Sequence, residues 1–225
     1  VGGGAAGVEV ALAAQYRLRA ELVAAGRDPD GIRVALVSKS ALLVSHAPKV
    51  GRIFARVLAE RGVEVHANRA VVRVERGVLH LSAPGGTPSD GASAQAEGRA
   101  ASETTVAFDE ALWATDAGAV PWLAASGLDC SPDGFVRVGE TLRSVNDAAV
   151  FAAGDVADMI TSPRAKAGVF AVRQGPVLAR NLRESLAGRP LERFAPQRRF
   201  LSLVSTGDRY AVASKGPFVV EGAWV

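Results

Sequence analysis

At 225 residues the chain has room for one large or two small domains and a real core. Its 48% hydrophobic and 22% charged content is that of an ordinary globular protein, and no apolar run approaches the roughly 20 residues needed to span a bilayer. Twenty-six basic against 23 acidic residues leave a net charge of +3, too weak to argue for nucleic acid, and the single cysteine, Cys130, excludes an internal disulfide or a cysteine-based metal site.

The chain opens on glycines with no basic segment before them, so no secretory signal is expected. It starts at Val rather than Met, and we expect further sequence upstream. Residues 4–22 are rich in Ala and Leu with polar residues at helical spacing, and predict a helix rising directly from the glycines. Gly, Pro and Asp at 26–31 predict a turn, and the apolar run 32–37 a buried strand. The spacing of Val50, Ile53, Phe54, Val57 and Leu58 predicts an amphipathic helix over 48–61, stopped by Gly62 before a strand at 63–66. Residues 71–75 and 78–82 alternate around Arg76-Gly77 and predict a hairpin. Residues 83–103 are Gly, Ala, Ser, Pro and Thr with almost no large apolar side chain, and read as a flexible insertion. Further strands are expected at 104–108, 111–115 and 150–153. A helix is expected at 165–186, interrupted near Gly175-Pro176. The tail 200–220 predicts three short strands with turns at 206–208 and 215–217. Strands alternating with helices make the class α/β.

Three segments carry chemistry. Gly2, Gly4 and Gly7 satisfy GxGxxG. Gly2 allows a tight strand-to-helix turn, Gly4 lets a pyrophosphate approach the backbone, and Gly7 lets the helix pack closely. The N–H groups of Ala5, Ala6 and their neighbours then face an anion with the positive end of the helix dipole behind them. The strand at 32–37 should end in an acid that binds the adenine ribose of NAD, but ends in Ser38-Lys39-Ser40. Ser38 and Lys39 would accept a 2′-phosphate, a tilt towards NADP; the alternative is a plain loop, with NAD bound without that contact. Finally, 150–157 is an apolar strand ending in Gly154-Asp155, which places a carboxylate at a sheet's C-terminal edge.

Gly2–Gly7 with Val8-Glu9, then 112–115, 126–129, 134–138, 141–144 and 150–157, occur in the order seen in pyridine nucleotide–disulfide oxidoreductase-type flavoproteins, which the chain resembles. Within that superfamily it looks most like type II NADH dehydrogenase-like proteins. The segments 163–168, 172–176 and 196–224 resemble the oxidoreductase domain fused to selenide, water dikinase. The resemblance implies a Rossmann-like doubly wound nicotinamide-dinucleotide domain over 1–118, the C-terminal part of an FAD-binding domain over 119–190, and a small antiparallel β tail over 191–225. It implies FAD and NAD(P)H as cofactors, with hydride passing from NAD(P)H to flavin and on to a quinone or other small-molecule acceptor. By position, Gly2, Gly4, Ala5, Ala6 and Gly7 would hold the nicotinamide dinucleotide, with Thr115 nearby and Glu9 near its nicotinamide end. Gly154 and Asp155 would hold the ribityl–phosphate part of FAD, and Lys166, Ala167, Gly168 and Val169 would face the flavin ring. No side-chain nucleophile or acid–base pair is needed.

Two departures stand out. The family's Ala-Thr-Gly reads Ala114-Thr115-Asp116, an acid at a glycine position close to the dinucleotide. The first GxGxxG, which grips the FAD pyrophosphate in such enzymes, is absent, so the catalytic unit is expected to be larger than this chain. No cysteine follows Asp155, which argues against a sulfide:quinone reductase. The implied setting is the cytoplasm, with peripheral contact at the inner face of a membrane. A non-catalytic redox-sensing module tied to selenium metabolism is the alternative. Cys130 reads as structural, His46 as a loop residue, and Trp224 as packed in the C-terminal layer. Arg164, Lys166, Arg198 and Arg199 read as solvated charge. His46, His66 and His80 lack metal-ligand spacing.

Overall fold

A computed structural model describes residues 1–85, 104–164, 166–197 and 199–225. Most of the expected flexible insertion, residues 86–103, and Arg198 lie outside the described residues. The chain forms two compact units, one of Val1–Thr115 with Leu201–Val225, the other of Asp116–Phe200.

The first unit opens with α1 (Ala5–Ala24). Ala-rich sequence favours the helix, and Val8, Leu12 and Gln15 recur on its buried side. Gly26, at φ +67°, ends it in the left-handed conformation. Strand β1 (Ala35–Val37) leads into α2 (Pro48–Glu60). Pro48 suits the first turn, where its missing N–H is no loss. All five residues expected on the inner face of α2 are buried, each contributing about 1.5–3 kcal/mol by leaving water. Gly62 (φ +65°) closes this helix before β2 (Glu64–His66), which pairs in parallel with β1.

The expected strand at 111–115 is not a regular strand. Residues 112–114 instead form a short ladder with the first residue: the Val1 ammonium donates to Leu112 O (2.6 Å), and Ala114 N–H to Val1 O (2.8 Å). On the other side, Gly2 N–H donates to Val37 O (2.8 Å). The lateral order is therefore β2, β1, Val1, then 112–114, the 3-2-1-4 order of a doubly wound nucleotide fold. The hairpin is as expected: β3 (Val71–Glu75) and β4 (Val78–Leu81) turn at Gly77 (φ +77°), and β5 (Thr104–Ala107) pairs with β4.

The second unit carries α3 (Trp122–Ala125), β6 (Val136–Val138), β7 (Ala157–Met159) parallel to β6, and α4 (Gly168–Leu186). Residues 150–153 hold only a bridge, Phe151 to Arg143, rather than a strand. Helix α4 runs unbroken through Pro176, contrary to the expected interruption. Proline removes the N–H that Val172 O would accept, but Val172 is 76% exposed and water can serve that carbonyl. Val136, Val138, Leu142, Ala157 and Met159 form the core with Leu123 and Phe194, and Cys130 packs against it, as a structural thiol would.

Strands β8 (Ser202–Ser205), β9 (Ala211–Lys215) and β10 (Phe218–Gly222) form the expected antiparallel tail sheet. It belongs to the first unit. Val204, Val212 and Val219 share a core with Val8, Leu12, Val50, Ile53 and Phe54. At Gly207 (φ +83°) a Cβ would lie 2.5 Å from Ala13 N, so the turn sits directly on α1. Trp224 does not pack in this layer: it is 78% exposed, and Phe218 77%. Arg61 clamps the same turn through Thr206 O (2.7 Å) and Asp208 Oδ2 (2.6 Å). Burial alone would raise the Asp208 pKa, but hydrogen bonds from Thr206 and Tyr210 N–H and the Arg61 charge outweigh it and hold the carboxyl below its ordinary 3.8. A depressed carboxyl stabilises the fold above the unfolded pKa and stops doing so as pH falls through the lower folded value. Asp208→Asn should therefore lower the Tm at neutral pH, and thermal melts should show that deficit closing below pH 3.8.

Candidate dinucleotide sites

In the first unit the glycine loop, the end of β1 and residues 114–115 meet. Gly2 has φ +129°, and a Cβ there would lie 2.1 Å from Ala114 O. A Cβ on Gly7 would lie 1.9 Å from Gly2 O, so the first helical turn sits against the loop with no space for a side chain. Gly4 is different: it is exposed, extended (φ −76°, ψ −179°), and nothing lies within 4 Å of an added Cβ. Gly4 is also the N-cap of α1, and no side chain caps that helix. Ala5 and Ala6 follow directly in its first turn. The loop thus combines crowded glycines below with an open, uncapped helix start above, the form that accepts a pyrophosphate. The residues present fit a dinucleotide there.

Ser38 is turned inward. It is 4% exposed, its Oγ accepts Ser40 N–H (3.3 Å), and a Cβ on Gly3 would lie 2.1 Å from that oxygen. Lys39 and Thr115 are exposed. Glu9 accepts Ser205 N–H (2.7 Å), tying α1 to the tail sheet. His46 is held rather than loose: its Nε2 is 3.2 Å from Ser202 Oγ and its Nδ1 3.2 Å from Ser45 Oγ. Burial lowers its pKa, with the Glu9 charge opposing.

In the second unit Gly154, Asp155, Lys166 and Ala167 line one open cleft, with Asp158, Arg164 and Phe170. Gly168 and Val169 begin α4 beside it. Gly154 (φ +73°) starts a single 3-10 turn over Gly154–Val156, which leaves Asp155 exposed. The Lys166 ammonium donates to Ala157 O (2.6 Å) and sits 4.0 Å from the Phe135 ring centroid. Burial lowers its pKa, opposed by Asp158, Asp155 and Asp133. Arg164 lies 4.6 Å from the Phe170 ring centroid and donates to Ser162 O (3.1 Å), so neither cation is simply solvated. Asp155 also borders an apolar hollow of about 180 Å3 lined by Val120, Leu123, Phe135 and Val156.

Sequence reasoning missed two buried polar residues of α4. Gln174 (3% exposed) accepts Gly154 N–H at Oε1 (2.6 Å), fixing the Gly-Asp turn. Asn181 (0%) donates to Thr141 O (2.9 Å) and Glu192 O (2.8 Å) and accepts Glu192 N–H (2.8 Å). Their signal was their spacing: with Phe170 they fall on one helical face, polar members of a buried stripe. Among the described residues no group of His, Cys, Asp or Glu could hold a metal.

The glycine loop lies in the first compact unit and the Gly-Asp turn in the second. Residues 1–179 match the family model described as pyridine nucleotide-disulphide oxidoreductase, and the chain belongs to that family. It is a family of flavoproteins that use FAD and NAD(P)H. The fold is similar to the sulfide:quinone oxidoreductase of Aquifex aeolicus (TM-score 0.68, 16% identity), covering 100% of this chain and 53% of that one. NDH2 from Plasmodium falciparum, solved with NADH, is also similar (TM-score 0.73, 13% identity), covering 98% of this chain and 57% of that one. An engineered water-forming NADPH oxidase bound to NADPH gives a TM-score of 0.63 at 18% identity, covering 95% of this chain and 41% of that one. The chain thus spans little more than half the length of the first two. No curated protein matches it. Among the described residues no helix is long and apolar enough to cross a membrane.

Proposed function

We propose that the chain is the nicotinamide-binding part, with a portion of the FAD-binding part, of a type II NADH dehydrogenase-like flavoprotein that oxidises NAD(P)H and reduces a quinone or another small acceptor. The observation that carries this reading is the open, uncapped start of α1 above crowded glycines, in a chain that also holds an exposed Asp155 on a fixed left-handed turn. When bound, the flavin accepts hydride from NAD(P)H and releases electrons to the acceptor. The protein's part is binding and alignment. Backbone N–H groups at Gly4–Gly7 and the α1 dipole hold the pyrophosphate. Glu9 is kept in place by Ser205 N–H. Asp155 and the segment 166–169 offer a carboxylate, an ammonium and the start of α4 to the flavin. Purified complete protein should carry the visible absorbance of oxidised flavin and bleach on addition of NAD(P)H; protein that folds but retains no FAD overturns the reading.

A second reading is a non-catalytic sensor that binds the dinucleotide. Steady-state NAD(P)H oxidation with a quinone or dye separates the two: turnover supports the enzyme, tight binding without turnover the sensor. The resemblance of the tail segments supports a narrower proposal, association or fusion with selenide, water dikinase, which co-purification of the two proteins tests. Exposed Leu203, Phe218 and Trp224 support peripheral contact with the cytoplasmic face of a membrane.

A further inference from the structure

We infer that the solvent-facing stripe of α4 is the contact surface of an antiparallel, two-fold homodimer. Successive helical residues are about 100° apart. Phe170, Gln174 and Asn181 mark the buried side of α4. On the opposite side Val172, Gly175, Pro176, Ala179, Leu182 and Leu186, all exposed, fall within about 120° of arc. Val172 is 76%, Leu182 44% and Leu186 91% exposed. From Val172 through Gly175, Ala179 and Leu182 to Leu186 the steps are 3, 4, 3 and 4 residues, the spacing of a helix–helix seam. Arg183 is the one charged side chain within the arc. A surface helix ordinarily turns a polar side to water; a continuous apolar one marks an interaction face.

The occupant is a second copy because the stripe is complementary to itself about its middle. Ala179 lies seven residues from both Val172 and Leu186. An isologous contact repeats each pairing across its two-fold axis. With Ala179 on that axis, Val172 meets the partner's Leu186 and Pro176 meets the partner's Leu182. Small Ala179 lets the helices approach closely at the centre, and the larger side chains close the two ends. Nothing lies within 4 Å of a Cβ added to Gly175, which leaves a gap opposite the stem of the partner's Arg183. That guanidinium comes within about one helical turn of Val172 O, the carbonyl that Pro176 leaves without an N–H donor. The two Arg183 positions stand about 12 Å apart along the helices, more than a Debye length at ordinary ionic strength. A lipid surface or an unrelated protein places no such symmetry on a helix. Two faces about 21 Å long bury about 1,000 Å2 in total, the lower limit for a specific interface, so the dimer should be a micromolar one.

Sedimentation velocity of the purified chain across the micromolar range tests this, and should show a reversible monomer–dimer equilibrium. Ala179→Glu brings two carboxylates together on the axis and should weaken the dimer on the order of 100-fold. The Tm of the dilute monomer should not change, because glutamate suits an exposed helix position. Val172→Glu and Leu186→Lys should each weaken the dimer. Combined, they set opposite charges against each other twice across the axis, and should regain about tenfold over either single variant. A chain that stays monomeric throughout, a dimer indifferent to Ala179→Glu, or a double variant no tighter than either single one overturns the inference. Flotation with phosphatidylcholine vesicles that Ala179→Glu abolishes, in a chain that forms no dimer, overturns it in favour of a membrane.

Discussion

Gly4→Asp is expected to make the protein slightly more stable and nearly unable to bind NAD(P)H. The two effects have one cause. Gly4 caps α1 in an extended conformation that any residue adopts, with open space around its missing Cβ and no side chain on the first-turn N–H groups. An aspartate there accepts a hydrogen bond from the first turn and meets the positive end of the dipole, a gain of about 0.5 kcal/mol over glycine. Those same N–H groups are what a pyrophosphate would use. A carboxylate about 4 Å from a phosphate charge costs about 4 kcal/mol at an effective dielectric of about 20. Allowing for screening, an affinity loss on the order of 100-fold remains. Thermal melts and calorimetry on one sample check both halves, and undiminished affinity removes the glycine loop from consideration as the site. Gly7→Ala is the contrasting control. Its Cβ would stand 1.9 Å from Gly2 O, so it should lose stability and binding together.

What the sequence discloses depends on the range of the forces involved. The inner face of α2 is readable because burial recurs every three to four residues, and Gly62 ends the helix through a local backbone preference. The hairpin at Arg76-Gly77 is readable for the same reason. The attachment of the tail sheet is not, because it is written in pairs far apart: Glu9 with Ser205, Arg61 with Thr206, Lys49 with Val219 O (3.1 Å). No periodicity encodes such contacts. Pro176 is tolerated because the carbonyl it leaves unpaired belongs to Val172, which faces solvent, and that exposure is set by packing rather than by local sequence. At the sites, the glycines announce themselves through their missing side chains. Ser38 does not, since one sequence serves a ligand-facing hydroxyl or one buried on Gly3, and only packing decides. Gln174 and Asn181 look like ordinary polar helix residues until the backbone groups they satisfy come into view.

Asn181→Leu is expected to cost about 3–5 kcal/mol, enough to threaten the second unit's fold. Leucine keeps the branched skeleton of asparagine but carries bulkier methyl groups, so some overpacking adds to a loss that is chiefly one of hydrogen bonding. Asn181 is fully buried and serves three backbone groups: Thr141 O, Glu192 O and Glu192 N–H. Each group left unpaired away from water costs about 1–3 kcal/mol. Asn181→Asp separates this account from a steric one. It keeps the bond from Glu192 N–H but sets a carboxylate against two carbonyl oxygens, so burial and repulsion should raise its folded pKa above the unfolded value of about 3.9. A raised carboxyl pKa means the variant is most stable in acid and loses stability as pH climbs past the unfolded value. Denaturant melts should therefore show the aspartate variant weakening from pH 4 to pH 7 while the leucine variant stays equally impaired at both. The consequence reaches the candidate flavin site, because the helix that Asn181 anchors also carries Gln174, whose Oε1 fixes Gly154. Amide hydrogen exchange at Gly154 should accelerate in Asn181→Leu, and unchanged exchange there would mean that the Gly-Asp turn holds its shape without the helix behind it.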